Sequence, residues 1–543
     1  MRLDEVWIGD FKNLKDLTVE FDETSPYTVL VGENGAGKSN LLEALTIMFR
    51  ELDLDLKASF DYRLRYNCRK NDIQVDAIRG EFPHFKLRAE GKEAFAELPR
   101  RRFMESDATG PLYRPGFVFG YYSGPSDRLS ALYEKHRERY YDEIIKDPKQ
   151  RKTDDPNSLR RLFYAEALHG QFALVAFFMA PGDDADRDRQ FLRDHLQIDG
   201  LDSVLFAFKH PPWRRKGGDP RFWNAVGEVQ QFLDRLYEGA LLPIRLPRRI
   251  QVDLTKNPEI ENLYLYLPNA AALERVYSSY GNQYAFFTAL ESAHLSKLLG
   301  EVRTRVRMTP AAGGGDVTYR DLSEGEQQLL LVLGLLKFTA RDEALFLLDE
   351  PDTHLNPAWS TQYLDFLDHF MLSRVSSCHL VMTTHDPLVF SRLKRSQVRI
   401  FRRKADGNAV ADEPLNDPQG MGIQAILASD LFRLPSAGLD SMTEADLALQ
   451  RRLASQESLS GDEEAELRAV TERLDALGFW KSDRDPIYQL FLQEFLPKWL
   501  KREKAEWSES VDLTVDQMRE RQALASEIAR EVADERASKD SPT

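Results

Sequence analysis

Short apolar runs alternate with helical spacing along the first 130 residues. Val6–Ile8, Leu17–Phe21 and Tyr27–Val31 are rich in β-branched or aromatic residues, which predicts strands. Asn40–Phe49 places Leu41, Leu42, Leu45 and Met48 at helical spacing. Ile73–Ala77 and Phe117–Tyr122 predict further strands. From about Leu129 the pattern becomes helical and then irregular. Lys146–Asn157 is a polar loop, and Pro181–Asp188 and His210–Pro220 are rich in structure breakers. After the flexible Ala311–Gly315, a long apolar helix is predicted over Glu326–Phe338. Buried strands follow at Ala344–Leu348 and His379–Thr383, with a third at Val398–Arg402. Past about Leu434 the chain turns into polar helices, over Thr443–Gln456, Asp462–Leu477 and Asp516–Arg536. No internal repeat stands out, and sustained heptads are absent between residues 130 and 300.

Composition narrows the class. The chain has 543 residues, 42% hydrophobic and 30% charged, which excludes a disordered or fibrous chain. Two cysteines, Cys68 and Cys378, are too few for a disulfide framework or a four-cysteine zinc site, and they fit a reducing cytosol. The opening MRLDEVWIGD has no apolar core of a signal peptide, and no apolar run has the length of a membrane span. A cytoplasmic protein without a membrane partner is expected. The formal charge of −15 excludes a uniformly basic coat for nucleic acid, although a local basic groove remains compatible with it.

The clearest chemistry is Gly32-Glu33-Asn34-Gly35-Ala36-Gly37-Lys38-Ser39, which fits G-x-x-x-x-G-K-[ST] between a strand and a helix. Gly32, Gly35 and Gly37 let backbone N–H groups close around phosphate oxygens that side chains would block. The helix beginning near Lys38, with Asn34 and Asn40 flanking the turn into it, aims its N-terminal dipole at the same phosphates. Lys38 supplies a cation to the β and γ phosphates, and the Ser39 hydroxyl is a Mg²⁺ ligand. ATP and Mg²⁺ are therefore the expected cofactors. Asp349 and Glu350 end the apolar run Ala344–Leu348, at the strand end where open α/β sheets place their chemistry. There Asp349 would hold Mg²⁺ through water, and Glu350 would polarise the attacking water. Ser323 and Glu326 form an S-x-x-E capping box, and a capped N-terminus with exposed Ser323 and Gly325 is also an anion site.

Leu322-Ser323-Glu324-Gly325-Glu326-Gln327 resembles the signature motif of ABC-class ATPases, with glutamates at the first glycine and at the glutamine. In that class the signature of one subunit meets the ATP of another, which implies an ATP-dependent head-to-head dimer or a higher oligomer. Asp349–Asn356 resembles a Walker B motif with its D-loop, and Met382-Thr-Thr-His385 resembles the switch-histidine loop, so His385 joins Glu350 as a catalytic candidate. The resemblance covers residues 1–50 and 319–390. It implies an α/β ABC-type P-loop ATPase head, built from residues 1–130 and 300–435. A helical and irregular insertion would occupy residues 131–299, and a helical extension residues 436–543. One element departs from the class: Phe117–Tyr122 runs into Ser123 and Gly124 where a Mg²⁺-binding glutamine usually stands, so the glutamine position is open.

The branch follows from what is missing and from a second resemblance. Long heptad arms and a hook C-x-x-C are absent, which sets aside the cohesin-like and zinc-hook branches. Asp483-Arg-Asp485 is the one D-x-D after His385, in a polar turn, and no H-N-H constellation stands out, so no nuclease centre is expected. Phe60–Cys68 and Phe119–Gly124, with Arg128, His136 and Tyr140, resemble PtuA-type ATPases of Septu and retron-linked phage defence. That resemblance implies an ATPase paired with a separate HNH nuclease subunit of the PtuB type. The alternative is a RecF-like repair ATPase that binds DNA and loads partners. The basic clusters Arg100–Arg102, Arg214–Lys216, Arg248–Arg249 and Arg402–Lys404 are either solvated faces or, with Trp213 and Trp223, a groove for nucleic acid as a further partner. The C-terminal helices are either a packed tail or a docking surface for the partner chain.

Overall fold

The computed structural model describes residues 1–107, 110–151, 161–179, 183–214, 217–249, 259–339, 343–371, 377–434, 440–454 and 460–476. The chain divides into two compact units, Met1–Pro435 and Ser436–Thr543.

The first unit is organised by a seven-stranded sheet in the order Leu162–Tyr164, Phe117–Tyr122, Ala344–Asp349, His379–Thr383, Tyr27–Gly32, Val398–Arg403, Ala409–Asp412. Its pairings are parallel except for the last hairpin. Parallel strands are covered on both faces and must be apolar throughout. Ala344–Asp349 and His379–Thr383 are accordingly buried at every position. The strand order places the C-terminal ends of three strands side by side, with Thr383 beside Asp349 on one flank and beside Leu30 nearby on the other.

One face of this sheet is covered by the helix Lys38–Asp53, which is covered in turn by an antiparallel sheet built on Arg2–Phe11, Leu14–Glu20, Tyr62–Cys68 and Asn71–Ala77. Leu41, Leu45 and Met48 are fully buried between Val118, Leu345 and Val381 of one sheet and Val6, Leu64 and Val75 of the other. Burying each such side chain contributes about 1.5–3 kcal/mol. The far end of the helix is clamped: Asp53 accepts from Arg114 at 3.0 Å, Arg161 at 2.9 Å and the His136 ring at 3.0 Å. The helix that presents Lys38 and Ser39 is thus held along its length and at its C-terminal end.

On the opposite face lie the helices Leu168–Met179, Glu324–Thr339 and Pro357–Met371. The same core takes in an antiparallel sheet in the order Ile244–Arg249, Glu259–Leu267, Ile198–Lys209, Leu299–Met308, Asp316–Thr318. Much of this sheet falls in the stretch 131–299, where the apolar pattern predicts only helical and irregular structure. Glu259–Leu267 and Ile198–Lys209 are half-buried strands whose outward positions include Tyr266 and Leu205, so polar alternation is blurred in the sequence. Tyr62–Cys68 is likewise a strand, paired with Arg2–Phe11. Cys68 and Cys378 are both buried. Among the described residues no helix is long and apolar enough to cross a membrane.

In the second unit, Ser441–Ala454 and Gly461–Ala476 pack through Leu447, Val470 and Leu474. Arg473 holds Asp446 at 2.6 and 2.9 Å. Ser460 and Glu463 form the expected capping box, with Ser460 N–H donating to Glu463 at 2.9 Å. The helix expected over 516–536 and the pair Asp483/Asp485 lie outside the described residues.

Candidate nucleotide site

The P-loop turn depends on glycine where the chain crowds itself. Gly32 has φ 141°, and a Cβ there would sit 2.0 Å from the Phe401 carbonyl oxygen of the neighbouring strand. Any side chain would push the two strands apart. Gly35 and Gly37 also have positive φ, and Asn34 is exposed on the turn. Asn13, on the turn after the first strand, braces the loop: its amide donates to Gly35 O at 3.1 Å and its oxygen accepts from Asn40 at 2.6 Å. Lys12 and Arg128 close on Glu43 of the P-loop helix, at 2.5 and 3.1 Å.

Lys38 is buried, and its ammonium donates to the loop carbonyls of Gly32 at 2.7 Å and Glu33 at 3.1 Å. Burial pulls its pKa below the usual lysine value, and Glu350 and Asp349 oppose the shift. Ser39 Oγ donates to Asp349 Oδ1 at 3.1 Å, and the same oxygen accepts from Thr383 at 2.6 Å. Three strand ends therefore bring together Ser39, Asp349 and Thr383. Thr383 was legible only as part of the Thr-Thr-His run. A hydroxyl beside a buried carboxylate is the hard oxygen donor set that suits Mg²⁺.

Glu350 has φ 53°, an uncommon conformation for a residue with a side chain. Its backbone is pinned on both sides: its N–H donates to Thr383 Oγ1 at 3.0 Å, and its carbonyl accepts from Gln328 at 3.4 Å. Local strain held by its surroundings clusters at functional positions. The Glu350 carboxylate lies 3.4 Å from His385 Nε2. Burial and then the Lys38 charge hold His385 below the ordinary histidine pKa, so the ring is neutral at pH 7. Ser123, at the open glutamine position, has its N–H on Asp349 O at 3.2 Å and its hydroxyl 3.2 Å from Thr353. Gln328, from the signature helix, accepts from the His354 N–H at 3.2 Å and so ties that helix to the loop after Glu350.

That loop contains an unusual acid. Asp352 is 4% exposed, and burial pushes its pKa up to about 7. Its carboxylate accepts from the Thr384 hydroxyl, which links the loop after Glu350 to the loop carrying His385. Its folded pKa lies above the ordinary 3.8, so stability contributed by the neutral form is complete below 3.8 and is lost as pH rises towards about 7. Asp352→Asn is neutral at every pH. Denaturant unfolding of the two proteins across that window should show the variant gaining on wild type by up to about 1.4 kcal/mol per pH unit. Parallel profiles would show that Asp352 is already ionised.

The signature segment forms the expected capping box. The Ser323 N–H and hydroxyl donate to Glu326 at 2.7 and 2.8 Å, and the Glu326 N–H donates to Ser323 Oγ at 3.3 Å. Gly325 is needed for close approach, because a Cβ there would lie 2.5 Å from the His354 carbonyl oxygen. Ser323, Gly325 and Glu326 line an open cleft with His354, Asn356 and Trp359. Asn356 caps the Pro357–Met371 helix, its side chain accepting from the Trp359 N–H at 3.0 Å. Among the described residues neither Ser323 nor Gly325 hydrogen-bonds to the P-loop. The structure thus brings Lys38, Ser39, Asp349, Glu350 and His385 together and leaves Ser323 and Gly325 on a separate, open surface.

The basic clusters come apart. Arg100 makes a two-pronged pair with Asp55 at 2.6 and 2.7 Å, and Arg402 pairs with Asp412 at 3.2 Å and Asp430 at 3.6 Å. Trp213 donates to Ser296 O at 2.8 Å, and Trp223 packs against the core under Arg245. Arg215 and Lys216, and the side chains of Arg248 and Arg249, lie outside the described residues. Among the described residues no group of three or more histidine, cysteine or acidic side chains is placed to hold a metal ion.

A P-loop braced between two sheets, facing a paired carboxylate at the end of a buried strand, defines a P-loop ATPase of the AAA/ABC class. The chain belongs to the family described as "AAA domain, putative AbiEii toxin, Type IV TA system", whose model matches residues 27–391. It is similar to the Septu protein PtuA of Bacillus mycoides strain KBAB4, with 26% identity over 121 residues, or 21% of this chain. That match spans 16% of the relative's length. Solved structures that resemble it include an SMC head domain from Thermotoga maritima, at 12% identity and TM-score 0.31, covering 76% of this chain and 99% of that one. An Smc head from Pyrococcus furiosus bound to the C-terminal domain of ScpA matches at 11% identity and TM-score 0.29, covering 76% of this chain and 96% of the other.

Proposed function

We infer that the chain is an ATP-hydrolysing subunit of an anti-phage defence complex that regulates a separate HNH-type nuclease subunit. The observation that carries the ATPase part is the convergence of Lys38, Ser39, Asp349, Glu350 and His385 at neighbouring strand ends. ATP would draw the Lys38 ammonium from the loop carbonyls onto its phosphates, while the P-loop N–H groups and the helix dipole take the remaining charge. Ser39 and Asp349 would hold Mg²⁺, which supplies charge neutralisation at the phosphates. Glu350, fixed by Thr383 and Gln328, orients and deprotonates the attacking water. His385, neutral and 3.4 Å from Glu350, donates or accepts a hydrogen bond beside it.

The defence part rests on the partial PtuA match and has its own test. ATP chemistry does conformational work, and cutting a phosphodiester needs a further centre. The purified chain with Mg²⁺ or Mn²⁺ should therefore leave plasmid DNA intact, and cleavage should appear only with a PtuB-type HNH subunit. Deleting residues 436–543 should leave the Met1–Pro435 unit folded and release that subunit. Robust cleavage by the lone chain, lost on mutating a carboxylate outside the ATP site, would overturn the delegation.

A further inference from the structure

The strand Leu299–Met308 alternates strictly over its second half, from Val302 to Arg307. Val302, Thr304 and Val306 are at most 1% exposed, while Arg303, Arg305 and Arg307 all point to the other, solvent-facing side. Same-face residues on a strand recur about every 7 Å, so the three guanidiniums form a cationic column spaced like successive phosphates of an extended single strand. The column is incompletely neutralised. Arg303 makes a two-pronged pair with Glu301 at 2.9 and 3.1 Å, Arg320 reaches the same acid at 2.9 Å, and Asp316, opposite Arg307 in the register, lies 3.9 Å from Arg305. Arg303 and Arg305 keep about half of their side-chain surface open, at 53% and 51%.

The same face carries aromatics. The register sets Arg303 opposite Leu205 and Leu205 opposite Tyr266, and sets Glu301 opposite Ala207 and Ala207 opposite Tyr264. Tyr264 and Tyr266 therefore stand two strands from the arginine column, about 10 Å away, with only small or apolar side chains between. Tyr266 is 37% exposed, and the face continues to Ile244, 43% exposed. Ten ångströms is the reach of a nucleotide from its phosphate to its base. A strand of nucleic acid laid along the column would place its bases over the tyrosines.

We propose that this outer sheet face binds single-stranded nucleic acid, with Arg303, Arg305 and Arg307 on successive phosphates and Tyr264 and Tyr266 stacking on bases. The charge pattern favours this occupant over an apolar protein surface, which would leave the guanidiniums unpaired and desolvated. A single cationic column suits one strand better than a duplex. In a chain of net charge −15, the binding has to come from such a local column. The site shares no residue with the ATP pocket, so it stands or falls independently of the ATPase reading.

Fluorescence anisotropy of the full chain with labelled oligo(dT), oligo(U) and a duplex, at low and raised salt, tests the proposal. Binding to one or both single strands, tighter than to the duplex, is expected, and the two oligonucleotides separate DNA from RNA. R303E/R305E/R307E should weaken it at least about 10-fold and flatten the salt dependence, while the lysine triple variant should retain most of it. Tyr264→Ala with Tyr266→Ala should cost about 10-fold with little change in salt dependence. Unchanged melting and ATP binding would confirm that the variants fold, and Arg307→Glu alone serves if the triple reversal does not. No binding by wild type at low salt, equal or tighter binding of duplex, or binding that survives the charge reversal would each overturn the proposal.

Discussion

Glu350→Gln is expected to lower ATP turnover by about 100-fold or more while leaving ATP binding unchanged. The substitution keeps shape and hydrogen-bonding reach and removes only the negative charge and basicity. The backbone at this position is held by the Thr383 hydroxyl and the Gln328 amide, neither of which touches the carboxylate, so the strained φ of 53° should persist. Lys38, Ser39 and Asp349, which carry the proposed phosphate and metal contacts, are untouched. Phosphate release and equilibrium ATP binding measured on the same preparation separate the two effects. Asp349→Asn is the useful contrast. It disturbs an oxygen that already accepts from both Ser39 and Thr383, so both binding and turnover should fall. Wild-type turnover in Glu350→Gln would remove Glu350 from its role.

Ser323→Arg is expected to abolish ATP-dependent self-association while a single chain still binds ATP. Ser323 and Gly325 lie in an open cleft beside the D-loop, and Gly325 sits too close to the His354 carbonyl for any larger residue. The Ser323 hydroxyl now donates to Glu326, so it can turn to a γ-phosphate presented by a second chain, while the helix N-terminus adds its own N–H groups. An arginine there fills the cleft and loses the capping hydroxyl, which costs about 1 kcal/mol of helix stability but leaves the P-loop untouched. Sedimentation with ATP, using Glu350→Gln to preserve the nucleotide, is the measurement. The same assembly in the mutant, or in wild type without nucleotide, would mean that composite sites do not hold the oligomer.

The local parts of the site were legible before any coordinates. The P-loop is eight contiguous residues whose glycines, lysine and serine act through one turn, so its chemistry is written in spacing alone. Asp349 and Glu350 were legible because a fully apolar strand ending in two acids has little choice about where its chemistry lies. Less local features escaped. Asn13 braces the P-loop from 22 residues away, and Gln328 reaches the Glu350 carbonyl from 22 residues before it, roles that spacing along the chain does not show. The insertion misled for a different reason. The period-two alternation of Val302–Arg307 is clean, but the neighbouring strands carry Tyr and Leu on their outward face and blur the same signal.

Charge shows the division most plainly. The runs Arg100–Arg102 and Arg402–Lys404 are conspicuous in sequence, yet Arg100 is spent on Asp55, 45 residues away, and Arg402 on Asp412 and Asp430. Arg303, Arg305 and Arg307 are interrupted by Thr304 and Val306 in the chain, yet they line one face of the folded sheet. By itself the sequence determined the nucleotide-binding turn, the acidic strand end and the signature cap, because each acts over a few consecutive residues. Only the tertiary structure decided that Thr383 stands against Asp349, that Asp352 is buried enough to resist ionisation, and which arginines line up on one exposed face. Those outcomes depend on which strands become neighbours and which carboxylate a cation meets, and packing settles both across hundreds of residues.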